Sequence, residues 1–300
     1  MEIYDIIIIG GGPAGISAGI YAVSRGKNVV AIEKEKVGGL IGSVSTVTHY
    51  AGIMEGETGS TFAARLEKQA KNAGVSIVYE TVQKVSLKGE YKTVVTDKGT
   101  YQAQKVILAN GTTPRKLGIP GEDELVGRGI GRNAAGEGAN FSGKHIYVVG
   151  GADGAVKEAL YLAQFAEQLT IIHFEEKLGC ISEFLRKVEQ TPNIEVKTGT
   201  RLWGVYGSRQ IESLELKDED TGAITRIEDP GCGVFIYAGS TPNTQLYHEL
   251  ELENGYIPVD SAMRTEIPGV YAAGDICVKT IRQVATAVAD GAAAAIHAAM

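Results

Sequence analysis

Apolar runs followed directly by glycine-rich turns are the main pattern of this chain. Residues 4–9 contain such a run, and residues 10–15 include four glycines. A run without alternating polar positions is typical of a parallel strand that is buried on both faces. We therefore predict a strand at residues 4–9, a helix at residues 16–25 and a second strand at residues 29–32.

The same order of elements recurs in the second half of the chain. The pattern predicts a strand at residues 146–149, a turn at residues 150–155, a helix at residues 156–168 and a strand at residues 169–172. In such a unit a crossover helix joins two parallel strands. Two units predict an α/β protein with two Rossmann-like dinucleotide-binding domains.

Shorter segments of strand character surround the two units. They are residues 76–79, 84–87, 92–96 and 106–108 in the first half and residues 195–197, 202–206, 212–216 and 234–237 in the second. Trp203 lies in one of them and is expected in the core. An alanine-rich helix is predicted at residues 282–297. Pro114, Pro120 and Gly121 favour a domain boundary, because they interrupt regular elements.

Composition and charge exclude several classes of protein. The 300 residues are 44% hydrophobic and 22% charged, which excludes a disordered chain and a disulfide-stabilised miniprotein. The formal net charge of −7 gives no general attraction to nucleic acid or to an anionic membrane. No apolar run approaches the roughly 18 residues of a membrane span, and the first residues lack the basic region of a signal peptide. A cytoplasmic protein is expected.

The first turn has the glycine spacing of a dinucleotide-binding fingerprint, Gly10-x-Gly12-x-x-Gly15. Gly10 allows the tight turn, Gly12 allows the backbone to approach a pyrophosphate, and Gly15 allows the helix to pack closely on the strand. The N-terminus of the helix offers N–H donors to that anion. Glu33, at the end of the second strand, is placed to accept a hydrogen bond from a ribose hydroxyl. Together these features predict a dinucleotide site.

The chain resembles the low-molecular-weight thioredoxin reductases over nearly its whole length. The motifs that carry the resemblance are residues 10–15, Gly38-Gly39, Ala109-Asn110-Gly111, residues 150–155, residues 239–244, Gly274-Asp275 and Arg282-Gln283. The resemblance implies an FAD-dependent oxidoreductase, usually a homodimer. It also implies that an NAD(P)-type domain, residues 113–243, is inserted into an FAD-binding domain formed by residues 1–112 and 244–300.

The resemblance further implies which residues surround the FAD. Gly274 and Asp275 would lie against the ribityl chain and pyrophosphate, and the helix after Gln283 would direct its N-terminus at the flavin ring. His49, near the ring, is a candidate proton carrier, and the alternative is a packed loop histidine. The predicted FAD-binding residues are Gly10, Gly12, Pro13, Ala14, Gly15, Glu33, Gly39, Leu40, His49, Ala109, Gly111, Gly274, Asp275, Arg282, Gln283 and Val284.

The chain departs from the family at the redox dithiol. The family carries Cys-x-x-Cys shortly before the second fingerprint, and this chain has Asn133 and Gly136 at the two positions. Its three cysteines, at positions 180, 232 and 277, have neither that spacing nor a metal-ligand spacing, so no metal site is predicted. Since thiol exchange needs a thiolate, we expect no reduction of thioredoxin by the family mechanism.

The second turn also departs from the family. Ala152 replaces the middle glycine, and its methyl group would weaken contact with a pyrophosphate. Glu175 and Glu176 stand where NADPH-specific members carry basic residues, so NADH is favoured over NADPH. Loss of nicotinamide binding is an equal alternative. The residues predicted around the second nucleotide are Gly150, Ala152, Asp153, Gly154, Ala155 and Glu175.

Three functions remain open on the sequence. The first is an FAD-dependent oxidoreductase without a dithiol, which takes electrons from NADH, or less readily from NADPH, and passes them to an unknown acceptor. The second is a nicotinamide-independent flavoprotein that a ferredoxin-type protein reduces. The third is a flavin-binding redox sensor that is not an enzyme. The expected partners are a second copy of the chain and a redox protein, with no nucleic acid and no membrane.

Overall fold

The computed structural model describes residues 2–300, apart from the side chain of Glu2. The chain divides into two compact units. Unit 1 comprises the residues up to Gly42, Thr46–Thr113 and Thr241–Met300, and unit 2 comprises Ser43–Ser45 and Pro114–Ser240. The borders expected from the sequence were after residues 112 and 243, and Ser43–Ser45 were not expected in the second unit.

Unit 1 contains a seven-stranded mixed sheet in the order β3-β2-β1-β6-β5-β4, with β17 also paired to β6. Its strands are β1 (Glu2–Ile9), β2 (Val29–Glu33), β3 (Ser76–Tyr79), β4 (Val82–Ser86), β5 (Lys92–Thr96), β6 (Thr100–Leu108) and β17 (Val270–Ala272). Strands β1, β2, β3, β6 and β17 are parallel, while β4 and β5 are antiparallel to their neighbours.

The apolar run of β1 is explained by burial on both faces. Ile6 and Ile8 pack in the cluster that includes residues of the long helices. Ile7 and Ile9 pack in the cluster on the opposite face, with side chains of β5, β6 and the segment before β17. The prediction of a doubly buried parallel strand is confirmed.

The helices of unit 1 are α1 (Pro13–Val23), α2 (Gly59–Asn72) and α6 (Val284–Ala298). Helices α1 and α6 approach so closely that a Cβ atom at Gly291 would lie 2.0 Å from the carbonyl oxygen of Ala14. Helix α2 was not predicted. Its start is nonetheless encoded locally, since Thr58 and Thr61 form a reciprocal capping box.

Unit 2 contains a five-stranded parallel sheet in the order β11-β10-β9-β15-β8 and a three-stranded antiparallel sheet, β12-β13-β14. The strands are β8 (Ile130–Gly131), β9 (His145–Val149), β10 (Gln168–Ile172), β11 (Ile194–Lys197), β12 (Thr200–Tyr206), β13 (Ser213–Asp218), β14 (Ile224–Glu228) and β15 (Gly233–Ile236). The helices are α3 (Ala134–Glu137), α4 (Asp153–Leu162) and α5 (Ser182–Glu189). The predicted α/β class is confirmed.

Two details of unit 2 differ from the predictions. Helix α4 ends at Leu162, six residues earlier than the predicted 168, because the chain turns there to enter β10 at Gln168. Trp203 was expected in the core, yet it is 40% exposed. Strand alternation directs Leu202 inward, and the ammonium of Lys217 lies 4.4 Å from the centre of the Trp203 ring.

Two short strands link the units along the chain. They are β7 (Thr112–Pro114) and β16 (Ser240–Pro242), which pair as a two-stranded sheet. Within the described part of the chain, none of the helices has the length and hydropathy of a membrane-crossing segment.

Candidate functional site

The turn after β1 has a geometry that requires glycine at two of its positions. Gly10 has φ +107°, and a Cβ atom there would lie 2.5 Å from the carbonyl oxygen of Ala109. A Cβ atom at Gly15 would lie 1.9 Å from the carbonyl oxygen of Gly10. A Cβ atom at Gly12, in contrast, would meet no protein atom within 4 Å. Gly10 and Gly15 therefore serve the packing of the protein itself, whereas Gly12 borders open space, as a ligand cradle requires.

Helix α1 begins at this turn and leaves its first N–H groups open to an anion. Gly12 is the N-cap, no side chain caps the helix, and Pro13 occupies the first helical position. The orphan N–H groups and the positive end of the helix dipole together favour a phosphate. Ala14 is 4% exposed, and a Cβ atom at Gly274 would lie 2.9 Å from its methyl group.

Glu33, at the end of β2, is fixed beside the same turn. Its Oε2 atom accepts a hydrogen bond from the Gly11 N–H at 2.7 Å, and its Oε1 atom accepts one from the Glu35 N–H at 3.1 Å. Each carboxylate oxygen has capacity for a further donor. The side chain is therefore held beside the turn with acceptor capacity that hydroxyl groups such as those of a ribose could use.

The segment after β17 brings a second carboxylate to this edge of the sheet. The Ala273 N–H donates to the Leu108 carbonyl oxygen at the end of β6. The Oδ1 atom of Asp275 is buried and has no hydrogen-bond partner among the described residues. Burial raises the pKa of its carboxyl group. A buried oxygen without a donor is unusual in a folded protein, and a ligand hydroxyl such as those of a ribityl chain would satisfy it.

Asp290 and Lys279 support this segment and were not identified from the sequence. Asp290, on α6, accepts a hydrogen bond from the Gly274 N–H at 3.0 Å through Oδ2 and binds the ammonium of Lys279 with the same atom. The available signal was that Asp290 is the one carboxylate in the alanine-rich sequence of α6. It holds the turn at Gly274, where φ is +82°.

The other predicted FAD-binding residues of unit 1 fall into two groups. Gly39 lies at the turn, since a Cβ atom there would be 3.4 Å from Gly12 Cα. Ala109 follows β6 and donates its N–H to Ile9 at the end of β1. Gly111 has φ +57° and open space around it. These three residues surround the first turn or the adjacent strand end.

The second group supports the segment after β17 or lies on exposed loops. Arg282 stacks over the ring of Tyr256 at 4.3 Å and donates to the carbonyl oxygens of Asp275 and Cys277. Gln283 is the N-cap of α6, and Val284 is its first residue. Leu40 is 44% exposed.

His49 has an exposed side chain and a left-handed backbone, with φ +43°. Its Nδ1 atom lies 3.0 Å from the Thr48 hydroxyl. These contacts are compatible with the candidate proton carrier and equally with a histidine satisfied by its own loop.

The second turn, in unit 2, has a backbone similar to that of the first, with Ala152 in the place of Gly12. Gly150 has φ +131°, and a Cβ atom there would lie 2.5 Å from the Tyr237 carbonyl oxygen. Ala152 is the N-cap of α4, with φ −83° and ψ 172°, so alanine is accommodated without strain. Ala152 is exposed, so its methyl group extends into the space that stays open at the corresponding Gly12 of unit 1. Gly154 has no protein atom near its virtual Cβ, and Ala155 is buried against the turn.

His173, rather than Glu175, occupies the place that Glu33 has in unit 1. The Gly150 N–H donates to Ile172 at the end of β10, as the Gly10 N–H donates to Ile32. The residue after each strand therefore corresponds, and His173 packs against Gly151. Glu175 lies two residues further, with its side chain 59% exposed and its Oε2 atom 3.1 Å from His173 Nε2.

The N-terminus of α4 is bordered by its own chain. Asp153, the first residue of α4, accepts a hydrogen bond from the Ile181 N–H at 2.8 Å. Ala152 forms a parallel bridge with Gly179. Since a carboxylate from the protein already lies at this helix terminus, it competes with a pyrophosphate for the same electrostatic environment.

Asn133 and Gly136, which the sequence resemblance places at the dithiol positions, lie at the start of α3 and within it. Asn133 is the N-cap of α3 and accepts a hydrogen bond from the Gly136 N–H at 3.2 Å. Burial raises the pKa of the Cys232 thiol to about 12 and that of the Cys277 thiol to about 12, so neither supplies a thiolate at neutral pH. Within residues 2–300, no three His, Cys, Asp or Glu side chains come together in a way that could hold a metal ion.

Comparison with known proteins extends these observations. The family model described as "Pyridine nucleotide-disulphide oxidoreductase" matches residues 4–291. The chain is 38% identical over 303 residues to the thioredoxin reductase of Peptoclostridium acidaminophilum, covering 99% of this chain and 96% of that protein.

Solved structures of the same kind also match. Thioredoxin reductase of Lactococcus lactis in the FR conformation matches at a TM-score of 0.94 and 34% identity, covering 98% of this chain and 97% of the other. A ferredoxin-flavin thioredoxin reductase from Clostridium acetobutylicum matches at a TM-score of 0.55 and 32% identity, covering 100% and 98%. This family uses FAD and NAD(P)H. The chain therefore belongs to the pyridine nucleotide-disulphide oxidoreductase family and has the two-domain FAD- and NAD(P)-binding fold of the thioredoxin reductases.

Proposed function

We propose that the chain is an FAD-dependent oxidoreductase that passes electrons from a reduced donor, NADH in preference to NADPH, to an acceptor without a dithiol of its own. The observation that carries the proposal is the cradle of unit 1. Gly12 borders open space, Glu33 is fixed beside it, and Asp275 has a buried carboxylate oxygen without a donor. A pyrophosphate, a ribose and a polyol chain fit these three features in turn.

The residues of unit 1 have separate tasks in this mechanism. The backbone at Gly12 and the N-terminus of α1 bind the pyrophosphate, and Glu33 accepts from the ribose hydroxyls. Asp275 accepts from the ribityl chain, while Asp290 keeps the preceding turn in place. The N-terminus of α6, at Gln283, favours negative charge beside it. Bound FAD would supply the electron-transfer chemistry, which the protein positions and tunes.

The choice of NADH over NADPH rests on the charges near β10. His173 and Glu175 follow the strand, and their side chains contact each other at 3.1 Å. A carboxylate there accepts from a free 2′-hydroxyl and repels a 2′-phosphate. We therefore infer that unit 2 is the nicotinamide-nucleotide domain, with Gly150, Gly154 and the N-terminus of α4 beside the pyrophosphate.

Replacing Glu175 with arginine tests this inference. Glu175→Arg should raise the ratio of NADPH to NADH in kcat/KM by about tenfold, because a guanidinium binds a phosphate and no longer repels it. Glu189→Arg, at an exposed position of α5, makes the same charge change outside the segment that directly follows β10 and serves as the control. A ratio that is unchanged in Glu175→Arg, or that rises equally in the control, would show that this segment does not select the donor.

The acceptor is proposed to lie outside the chain. The relatives are named thioredoxin reductase, which makes thioredoxin the first acceptor to examine. The present chain has Asn133 and Gly136, joined by a hydrogen bond, where the family has its dithiol. A quinone, a second flavin or a redox protein that receives electrons directly is therefore favoured over a protein disulfide.

A second candidate is a nicotinamide-independent flavoprotein that a ferredoxin-type donor reduces. Two observations in unit 2 favour it: the exposed methyl group of Ala152 and the carboxylate of Asp153 at the N-terminus of α4. The similar protein from Clostridium acetobutylicum is named a ferredoxin-flavin enzyme.

A flavin-binding sensor that is not an enzyme is the third candidate. We expect a homodimer in each case, which sedimentation of the purified protein would test.

A further inference from the structure

A groove of unit 1 away from the cradle contains an unusual arrangement of lysines. It has a volume of about 430 Å³ and lies between the β4–β5 turn, the middle of β6 and the turn before β17. The lining residues that matter here are Lys88, Glu90, Lys92, Lys105 and Gly269. Gly269 precedes the first residue of β17, whereas the cradle lies after its last residue, so the groove is separate from the dinucleotide site.

Lys92 is a buried charge that the described protein does not compensate. Lys92 is only 4% exposed, and its Nζ atom donates a hydrogen bond to the Gly89 carbonyl oxygen at 2.5 Å. The turn at Gly269 lies close to this ammonium, since a Cβ atom at Gly269 would be 3.2 Å from it. No carboxylate among the described side chains forms an ion pair with Lys88, Lys92 or Lys105.

Two effects make this arrangement unfavourable without a ligand. Burial lowers the pKa of Lys92, and repulsion from Lys105 lowers it further. Buried charges in proteins are normally paired, because an ammonium that leaves water loses its hydration. Glu90 is the one carboxylate at the groove, and it is exposed on the β4–β5 turn. Three lysines and one glutamate leave an excess of positive charge facing the groove.

We propose that this groove binds a small dianionic oxyanion of the phosphate type, with Lys92 and Lys105 as its principal ligands and Lys88 at the rim. A lysine ammonium group binds phosphate as a point charge. Unlike the guanidinium group of arginine, it does not need a planar, bidentate arrangement of acceptor oxygens. A dianion neutralises both inner lysines at once. The source is either free phosphate or the phosphate group of a small metabolite. The proposal is independent of the electron-transfer function.

The test is calorimetric titration of the FAD-loaded protein with inorganic phosphate at an ionic strength held constant with chloride. We expect saturable binding. Lys105→Gln removes one ligand from a half-buried position and should weaken binding by about tenfold or more. The matched control is Lys84→Gln, an exposed lysine of the same β4–β5 hairpin that does not line the groove, and it should bind as the unmodified protein does.

A second variant addresses stability. Lys92→Met keeps the length of the side chain and removes the unpaired charge. In the absence of phosphate, this variant should unfold at a higher temperature than the unmodified protein, and added phosphate should no longer stabilise it.

Comparison of phosphate with glycerol 3-phosphate identifies the source: equal affinities assign free phosphate, and tighter binding of the ester assigns a metabolite. Absence of saturable binding, or an equal loss in Lys84→Gln and Lys105→Gln, would overturn the proposal.

Discussion

Gly12→Val should yield a folded protein that has lost most of its FAD, with less than about a tenth of the flavin content of the unmodified chain. The virtual Cβ of Gly12 meets no protein atom within 4 Å, and its φ of −72° suits any residue. The substitution therefore disturbs the protein little. The isopropyl group instead occupies the space into which the pyrophosphate must come, and it blocks the backbone of the turn.

The matched control for this prediction is Gly154→Val in the second turn. Gly154 also has open space around its virtual Cβ, and it lies in unit 2. It should purify with normal FAD content. Flavin released by heating is measured by fluorescence, and circular dichroism checks that both variants are folded. A Gly12→Val protein that retains its full flavin content would contradict the assignment of the first turn to FAD.

Reduction of thioredoxin by NADH or NADPH should remain at background in the presence of this protein. The family mechanism needs two thiols, and Asn133 and Gly136 provide none. The buried thiols of Cys232 and Cys277, both with a pKa of about 12, remain protonated at neutral pH. Without a thiolate no mixed disulfide forms.

Coupled reduction of insulin by thioredoxin measures this prediction. The thioredoxin reductase of Peptoclostridium acidaminophilum, assayed with the same thioredoxin, is the positive control. Turnover by the present chain that persists after each cysteine is replaced by serine would show that electrons reach thioredoxin by another route. Turnover that is lost with Cys180→Ser would instead identify a thiol relay through the least buried cysteine.

The sequence predicted the strand–turn–helix units because their signals are local. The run that ends at Ile9 and the glycine spacing after it define β1 and α1 within about twenty residues of chain. Helix α2 was missed because a long loop precedes it and its capping box at Thr58 uses Thr61 in place of the usual Glu or Gln. Trp203 was predicted in the core because the sequence does not show which face of the three-stranded sheet packs against the rest of the protein and which face is exposed to solvent.

The residues of the candidate site that could be proposed from the sequence are those that belong to one short segment of the chain. Gly10, Gly12 and Glu33 belong to one βαβ unit and could be related by spacing alone. The contribution of Asp290 depends on how α6 packs beside β17, which no local pattern reveals. His173 was overlooked because the acidic pair after it, Glu175 and Glu176, suggested a binding role by charge, although β10 ends one residue before His173.

Anaerobic titration of the purified flavoprotein with NADH, then NADPH and finally dithionite tests the proposed function most directly. The measured quantity is the visible absorbance of the oxidised flavin. We expect about one equivalent of NADH to bleach the flavin rapidly, which leaves no oxidised flavin for NADPH or dithionite to reduce, and a separate sample titrated with NADPH alone should bleach more slowly. Bleaching by dithionite alone would contradict the nicotinamide route, and reduction by a ferredoxin-type donor would then become the leading account of the protein.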